Sequence, residues 1–228
     1  MASDSSDRNS DTRPEAAPRL VLASGSPRRS DILTRAGVPF EIIVSGIDEA
    51  PEPGESAAGL VERLAREKCL DVAHRVPAQP ARPVLGADTI VVAGGLGSDL
   101  PEQVLGKPRD PGHAVDLLSL LVGRTHRVMT GVAVAWTDGR RQSPLDAPTR
   151  TTVETSHVTF RDASRAELEE YVAIGESMDK AGGYALQGAG ARFVLEVVGD
   201  PTNVIGLPES ATLELLRSAG VSEASLGR

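Results

Sequence analysis

The stretch Leu20–Arg29, which reads LVLASGSPRR, decides the fold because it joins a strand directly to a helix. Its first four residues are apolar and predict a short buried strand over 20–23. Gly25 allows the chain to turn, Ser26 is typical of a helix N-cap, and Pro27 is typical of a first helical residue. This strand–turn–helix unit is the first of several along the chain.

Strands and helices continue to alternate after this stretch. Apolar and β-branched runs predict the strands, while N-cap residues, a capping box and terminal glycines mark the helices. The predicted strands are 20–23, 40–44, 83–93, 126–136, 149–160 and 193–198, and the predicted helices are 27–37, 56–74, 110–123, 164–175 and 209–219. We therefore predict an α/β fold with a mixed sheet flanked by helices. A long hairpin over 94–105 argues against a purely doubly wound sheet.

The length of 228 residues fits one domain or a tightly joined pair. Residues 1–18 are rich in Ser, Asp, Arg and Pro and are predicted to be a disordered tail, and 222–228 are predicted to be a flexible end. One domain over 19–221 remains. No stretch approaches the roughly 18 apolar residues that a membrane helix needs, and no apolar signal peptide opens the chain. We expect no membrane partner and predict a cytoplasmic location.

The net charge of −8 and the aromatic content of 3% limit the classes of binding partner that the chain is expected to have. Proteins that bind a nucleic-acid polymer usually carry the opposite charge, and single-strand binders need rings on which bases stack. We therefore expect no nucleic-acid polymer as a partner, and any anion should be small and held by a local cluster of cations. Cys69 is the only cysteine, which excludes an internal disulfide and a Cys-based zinc site; we interpret it as a buried helix residue.

Arg28 and Arg29 stand where a helix disfavours positive charge. The first turn of a helix carries free N–H groups and the positive end of the dipole, so two arginines there worsen the local field unless an anion lies among them. Phosphate suits both guanidinium groups and helix N–H groups. The alternative is a solvated helix start with two exposed arginines.

Lys68 interrupts an apolar helix face. Val61, Leu64, Ala65 and Val72 share that face with it at helical spacing. A lysine at such a position either extends its ammonium to the edge of the helix or meets a buried anion. The sequence leaves both alternatives open.

Asp88 is the one acid in the apolar run 83–93. A buried carboxylate costs several kcal/mol unless it is hydrogen-bonded or bound to a metal, so Asp88 is either a strand-end acceptor of backbone N–H groups or a metal ligand or general base. Asp48 and Glu49 are candidate companions. The four histidines lack ligand spacing, so a hard divalent cation fits this inventory better than zinc.

These residues together offer cations for a polyphosphate, carboxylates for a hard metal, and no covalent nucleophile with a partner base. This combination favours metal-assisted attack of water on a phosphoanhydride. The Gly-rich signature of P-loop enzymes is absent from the sequence.

The motifs resemble those of the Maf-like nucleoside triphosphate pyrophosphatases, also called septum-formation proteins. The resemblance runs from Arg19 to about Ala219 and rests on six ordered blocks: 22–29 (LASGSPRR), 64–68 (LAREK), 86–89 (GADT), 106–109 (GKPR), 179–182 (DKAG) and 206–208 (GLP). It implies hydrolysis between the α and β phosphates to a nucleoside monophosphate and pyrophosphate. It also implies an elongated sheet with a central cleft, like that of the inosine triphosphate pyrophosphatases.

The resemblance also assigns roles to individual residues. Asp88 falls on the general-base position and Glu49 on a second carboxylate position, and both are implied ligands of Mg²⁺ or Mn²⁺, with Co²⁺ as a further candidate. Lys68 completes the implied catalytic set. The implied phosphate-binding residues are Ser24, Arg29, Lys68 and Lys107. The positions that separate subfamilies hold Arg28, Thr89 and Gln187, a combination similar to the branch that acts on dTTP and UTP, with modified nucleotides as further substrates.

Two alternatives to this enzyme remain open at the level of sequence. One is a nucleotide-binding division regulator without turnover, in keeping with a role in cell-division arrest. The other is an enzyme of the inosine triphosphate class, although the loop after the first strand differs from that pattern. Loops 94–105 and 137–148 are longer than in compact members of the family, and Asp200–Val204 departs from their usual form. A homodimer is a further expectation of the resemblance.

Overall fold

Seven strands form one open sheet among the residues that the computed structural model describes, 19–77, 79–95, 99–137 and 149–227. The strands are β1 (Leu20–Leu22), β2 (Phe40–Ile42), β3 (Pro83–Ala93), β4 (Gln103–Leu105), β5 (Thr125–Trp136), β6 (Arg150–Phe160) and β7 (Val194–Val198). The helices are α1 (Pro27–Arg35), α2 (Ala57–Arg75), α3 (Pro111–Ser119), α4 (Arg165–Ala173), α5 (Pro201–Ile205) and α6 (Glu209–Ser218). Short 3₁₀ helices span Ala181–Gly183, Ala189–Phe193 and Glu223–Leu226.

The sheet is mixed, with the order β2-β1-β3-β5-β6-β7 and β4 paired to β3 beside this path. Strands β2, β1 and β3 are parallel to one another, whereas β3, β5, β6 and β7 run antiparallel in turn. Strand β4 returns antiparallel to β3, so the predicted hairpin is present. The α/β fold with a mixed sheet flanked by helices is therefore confirmed.

Local capping explains where several helices begin. The side chains of Ser56 and Asp110 accept a backbone N–H at the start of α2 and α3. Ser164 and Glu167 form a complete capping box at the start of α4. Each of these contacts satisfies N–H groups that the helix itself leaves without a partner. These three helix starts were predicted from the sequence.

The two faces of the sheet carry different helices. Helices α1 and α6 pack on one face of β1, β3 and β5, and α2 packs on the opposite face, where Cys69 is buried as predicted. A further core, formed by α3, α4 and the neighbouring ends of β3, β5 and β6, extends the molecule along the sheet. Because side chains alternate along a strand, Asp88 faces α2 while Thr89 faces the side of α1 and α5.

Two glycines let α2 lie close to the sheet. A Cβ atom on Gly86 would lie 2.3 Å from the backbone oxygen of Ala65, and one on Gly131 would lie 2.1 Å from that of Val61. Both distances are far below contact, so neither position accepts a side chain while the helix keeps its place. Gly131 lies directly opposite Asp88 in the register of β3 and β5, so the close approach occurs beside this carboxylate.

The structure differs from the sequence-based expectations in four places. The predicted strand over 40–44 ends at Ile42, and the predicted helix over 110–123 ends at Ser119 and continues as turns. Helix α5 was not predicted, although Asp200 caps it and Pro201 opens it. The end predicted to be flexible instead forms the 3₁₀ helix Glu223–Leu226, because Leu226 is buried against the α1–α6 core.

Some predictions fall on residues outside the described ranges. The predicted disordered tail over 1–18 lies outside them, as do residues 96–98 of the hairpin and 138–148 of the second long loop. Among the described residues, no helix combines the length and the apolar character needed to cross a bilayer.

Candidate active site

A cleft of about 870 Å³ opens where β1 passes into α1. Its walls come from the start of α1, the middle of β3 and the buried face of α2. The segments around 106 and 179–187 complete them. The nine residues to which the resemblance assigns roles line this one cleft: Ser24, Arg28, Arg29, Glu49, Lys68, Asp88, Thr89, Lys107 and Gln187. Asp48, the other candidate companion of Asp88, does not line it, and its carboxylate accepts from the backbone N–H of Ala50. The structure brings the nine residues together, and their individual roles stay predictions.

Lys68 lies between two carboxylates on the α2 side of the cleft. Its Nζ donates to Asp88 Oδ1 at 2.6 Å and lies 2.8 Å from Glu49 Oε1. The side chains of Lys68 and Asp88 are 9% and 10% exposed, whereas that of Glu49 is 53% exposed. Of the two alternatives for Lys68, the buried anion is therefore the observed one. Removing Lys68 would leave the buried Asp88 carboxylate without its ion-pair partner, whereas removing Asp88 would leave Lys68 paired with the more exposed Glu49.

The electrostatic field at Glu49 is positive. Its partial burial would by itself raise the pKa of this carboxyl group. The hydrogen bond from Lys68 and the charges of Lys68, Lys107 and Arg29 outweigh that effect and lower the pKa below its ordinary value. Glu49 therefore stays ionised into the acid range, as a group that binds a cation should.

Arg29 is buried on the opposite side of the cleft and is held by neutral oxygen atoms. Its Nε donates to the backbone oxygen of Gly206 at 2.8 Å, its Nη1 to Ser24 Oγ at 3.0 Å, and its Nη2 to Thr89 Oγ1 at 3.1 Å. Among the described residues it forms no ion pair within 4.0 Å. Burial lowers the pKa of the guanidinium, and the charge of Asp88 opposes that change.

The start of α1 also lacks a side-chain cap. Ser26 occupies the predicted N-cap position, but its side chain makes no capping hydrogen bond, and the first turn contains no acid. The backbone N–H of Ser26 donates instead to Ser24 Oγ at 3.2 Å, so Ser24 serves both this N–H and Arg29. A helix start of this kind, with a buried guanidinium beside it, is suited to an anion.

Arg28 closes another part of the cleft through an ion pair that the sequence did not predict. Its Nη1 lies 2.8 Å from Asp179 Oδ2, and the same carboxylate contacts Lys180. Burial would raise the pKa of Asp179, but the hydrogen bonds from Lys180 and Arg28 lower it to about 2. Asp179 and Lys180 both line the cleft. The 179–182 block pointed to this segment, but not to its partner 151 residues earlier in the chain.

Lys107 and Gln187 lie in loops that other residues hold in place. The side chains of both are exposed to the cleft. The backbone oxygen of Gly106 accepts from Gly182 N at 3.1 Å, which joins the segment of Lys107 to that of Asp179. The carboxylate of Glu176 accepts from Ala189 N at 3.0 Å and so fixes the loop that carries Gln187.

Two carboxylates of this cleft are suited in kind to a hard divalent metal. Among the described residues no group of three or more His, Cys, Asp or Glu side chains forms a metal cage. Glu49 and Asp88 converge on one point, the ammonium of Lys68. Mg²⁺ is commonly held by one or two carboxylates together with substrate phosphates, so this donor set is adequate for such an ion.

Comparison with known proteins identifies relatives over most of the chain. The dTTP/UTP pyrophosphatase of Salmonella typhimurium is 47% identical over 86% of this chain and 91% of that protein. The dTTP/UTP pyrophosphatase of Myxococcus xanthus is 46% identical over 89% of this chain and 93% of that protein. Among solved structures, a nucleoside-triphosphatase / dITP/XTP pyrophosphatase from Mycobacterium abscessus is a weaker match, with 14% identity and a TM-score of 0.40 over 88% of this chain and 97% of that one.

The six sequence blocks line the cleft or hold its walls in place. All six lie within the part of the chain that matches a known family. A family model described as Maf-like protein matches residues 19–219, almost the whole described chain. With this match and relatives at 46% and 47% identity, the chain belongs to the family of Maf-like proteins.

Proposed function

We propose that this chain is a nucleoside triphosphate pyrophosphatase that hydrolyses dTTP and UTP between the α and β phosphates. The observation that carries the proposal is the pairing of two arrangements in one cleft: a lysine held between carboxylates, and a buried arginine without a carboxylate partner. The dTTP/UTP pyrophosphatase names of the relatives support the substrate.

The cations of the cleft bind the triphosphate in this proposal. Hydrogen bonds to described residues use three of the five N–H groups of Arg29, which leaves two for phosphate oxygens. Lys107 is exposed toward the same space and has no ion pair with a described residue. Both side chains offset charge on the pyrophosphate as it leaves.

Asp88 is the proposed general base. Its Oδ1 accepts from Lys68, while Oδ2 accepts no hydrogen bond from the described residues and is available to a water molecule. Asp88 takes a proton from this water molecule while the oxygen of the water attacks the α phosphorus. The bond from the α phosphorus to the bridging oxygen breaks, and the products are a nucleoside monophosphate and pyrophosphate. Lys68 fixes the carboxylate during this step.

Glu49 and Asp88 are the proposed ligands of Mg²⁺ or Mn²⁺, with Co²⁺ as a further candidate. When bound, such an ion offsets the negative charge of the phosphates and polarises their oxygens. Arg28, Thr89 and Gln187 are the proposed determinants of substrate choice. A cytoplasmic location, where nucleoside triphosphates are made and used, belongs to the same proposal.

The test is hydrolysis in ¹⁸O-labelled water with each of the three metals. The panel contains dTTP, UTP, dCTP, dGTP and dITP, and pyrophosphate and orthophosphate are measured separately. We expect pyrophosphate as the direct product from dTTP and UTP, with the label in the monophosphate. Orthophosphate as the sole direct product would mean that a different bond is cut. A preference for dITP would favour the inosine triphosphate class, and binding of dTTP without turnover would favour a nucleotide-binding regulator.

A further inference from the structure

A second threonine lies behind Thr89 and away from the cleft. Thr89 and Thr130 are directly opposite each other in the register of β3 and β5, and their hydroxyl oxygens are 3.0 Å apart. Thr130 is fully buried and is not among the residues that line the cleft. Its hydroxyl can therefore influence a ligand only through its neighbours.

The hydrogen bonds of these threonines run in one direction. Arg29 only donates, so its Nη2 gives a hydrogen to Thr89 Oγ1. The Thr130 hydroxyl donates to the backbone oxygen of Asn203 at 3.2 Å, because a carbonyl only accepts. Each hydroxyl has a single hydrogen, so that of Thr89 points to Thr130 at 3.0 Å in preference to the Gly206 oxygen at 3.3 Å. The result is an ordered chain from Arg29 through both threonines to Asn203.

Helix α5 anchors the far end of this chain. Asn203 is fully buried, and its Nδ2 donates to the backbone oxygen of Val128 at 3.0 Å and to Ser156 Oγ at 2.9 Å. The same segment supplies the Gly206 oxygen that accepts from Arg29 Nε. Two of the three contacts of Arg29 thus depend on residues 200–206, a segment that includes Asp200–Val204, where this sequence departs from the pattern that it resembles.

We propose that Thr130 is a positioning residue that fixes the guanidinium of Arg29 through Thr89 and so aims its two remaining N–H groups into the cleft. This inference rests on the proposed phosphate-binding role of Arg29. Without the Thr130 hydroxyl, the hydrogen of Thr89 has only the Gly206 oxygen, at 3.3 Å, as an acceptor among the described residues. The Thr89 hydroxyl then turns toward that oxygen and no longer holds Arg29 Nη2 in place, although no residue in contact with the ligand has changed.

The test compares Thr130→Val with two matched variants. Thr130→Ser keeps the hydroxyl and should restore the wild-type behaviour. Thr212→Val removes a buried hydroxyl on α6 that has no hydrogen-bond partner among the described residues, and it should leave the kinetics unchanged. We expect Thr130→Val to lower kcat/KM for dTTP about 5- to 10-fold, the effect of one hydrogen bond. Thr130→Ala serves as the second variant if the valine variant fails to fold.

An Arg29→Lys background separates positioning from general loss of stability. Lysine lacks the planar guanidinium group whose Nη2 donates to Thr89. Thr130→Val should therefore change kcat/KM less than twofold in that background. An equal loss in both backgrounds, or a loss of melting temperature alone, would overturn the proposal. So would wild-type kcat/KM in both Thr130→Val and Thr130→Ala.

A binding measurement distinguishes this proposal from the proposed function. Calorimetry with the α,β-methylene analogue of dTTP, which cannot be cleaved at that bond, reports on Arg29 without turnover. If the wild-type protein binds the analogue but releases no pyrophosphate from dTTP, the catalytic proposal fails. Thr130→Val must still weaken binding of the analogue in the wild-type background and not in the Arg29→Lys background. Equal affinities of the Thr130→Val variant and the wild type for the analogue would overturn the positioning role.

Discussion

The two sides of the cleft hold a buried cation in opposite ways. On the α2 side, the ammonium of Lys68 contacts two carboxylates, so its charge is compensated before any ligand arrives. On the α1 side, the guanidinium of Arg29 contacts a backbone oxygen and two hydroxyl oxygens, which orient it but leave its charge uncompensated. A charge that is removed from water without a counter-ion costs free energy, and an incoming anion recovers part of that cost.

This difference predicts separate roles for the two sides, in ligand binding and in turnover. In the proposed function, the α1 side attracts phosphate because the guanidinium of Arg29 has only neutral hydrogen-bond partners among the described residues. The α2 side holds a carboxylate in a fixed position in that proposal, because Lys68 binds one oxygen of Asp88 and leaves the other for water. Substitutions on the α1 side should therefore affect binding first, and those on the α2 side should affect turnover first.

The largest effect is expected for Asp88→Asn. The amide keeps the shape of the carboxylate but takes no proton, so turnover of dTTP should fall at least about a hundredfold. Binding of the α,β-methylene analogue should be largely kept. Single-turnover kinetics and calorimetry on the same preparation check both parts, and near-normal turnover would exclude Asp88 as the general base.

Arg29→Met should weaken binding of the analogue about 30-fold, which corresponds to the loss of a charge-assisted hydrogen bond to phosphate. Arg35→Met is the matched control, because Arg35 is exposed on the same helix and lies outside the cleft. Calorimetry measures both variants. Loss of turnover with unchanged affinity would contradict the division of tasks between the two sides.

Lys68→Met should lower kcat for dTTP about tenfold while the protein stays folded. The reason is that the Asp88 carboxylate then loses the ammonium that fixes one of its oxygens. The acid limb of the pH–rate profile should move to higher pH, since Lys68 is one of the groups that lower the pKa of Glu49. A higher melting temperature with unchanged kinetics would show that Lys68 has only a structural role.

The smallest effect is a pH dependence of stability that arises at Glu49, on the α2 side. The pKa of Glu49 is lowered in the folded protein, so its contribution to stability is present above the ordinary value of 4.5 and is lost as the pH falls through the lowered value. Unfolding of the wild type and Glu49→Gln between pH 3 and pH 7 measures it. The difference should be under about 1 kcal/mol, because the side chain is half-exposed, and should shrink in salt. The difference between Arg29→Met and the wild type should depend less on pH, because arginine does not titrate in this range and its charge has a smaller effect on the pKa of Glu49 than those of Lys68 and Lys107.

Local rules in the sequence predicted much of the fold. The capping residues Ser56, Asp110 and Ser164 marked helix starts correctly, because capping depends on neighbours within three residues. Helix α5 was missed although Asp200-Pro201 repeats the signal of Asp110-Pro111, since only five residues follow before Gly206. The buried 3₁₀ helix near the C-terminus was missed because a single apolar side chain, Leu226, holds a polar segment on the core.

The site was predicted as a set of residues rather than as an arrangement. Lys68 and Asp88 each violated the apolar pattern of their own element, and that conflict is visible without a structure. Their contact joins residues 20 apart, and the contact of Arg29 with Gly206 joins residues 177 apart. Neither pairing follows from local preference. Asp179 and Thr130 were missed for the same reason, because their importance comes from partners that only the folded chain brings near.

Gly86 and Gly131 set the thickness of the layer in which the lysine and the carboxylate meet. No atom beyond hydrogen projects from the sheet at these two points, so the main chain of α2 rests almost directly on the strands. The distance from the α2 main chain to Asp88, which the Lys68 side chain spans, is therefore set by the absence of a Cβ atom at these two positions. A single methyl group added at either glycine would push α2 away from the sheet and move Lys68 relative to Asp88.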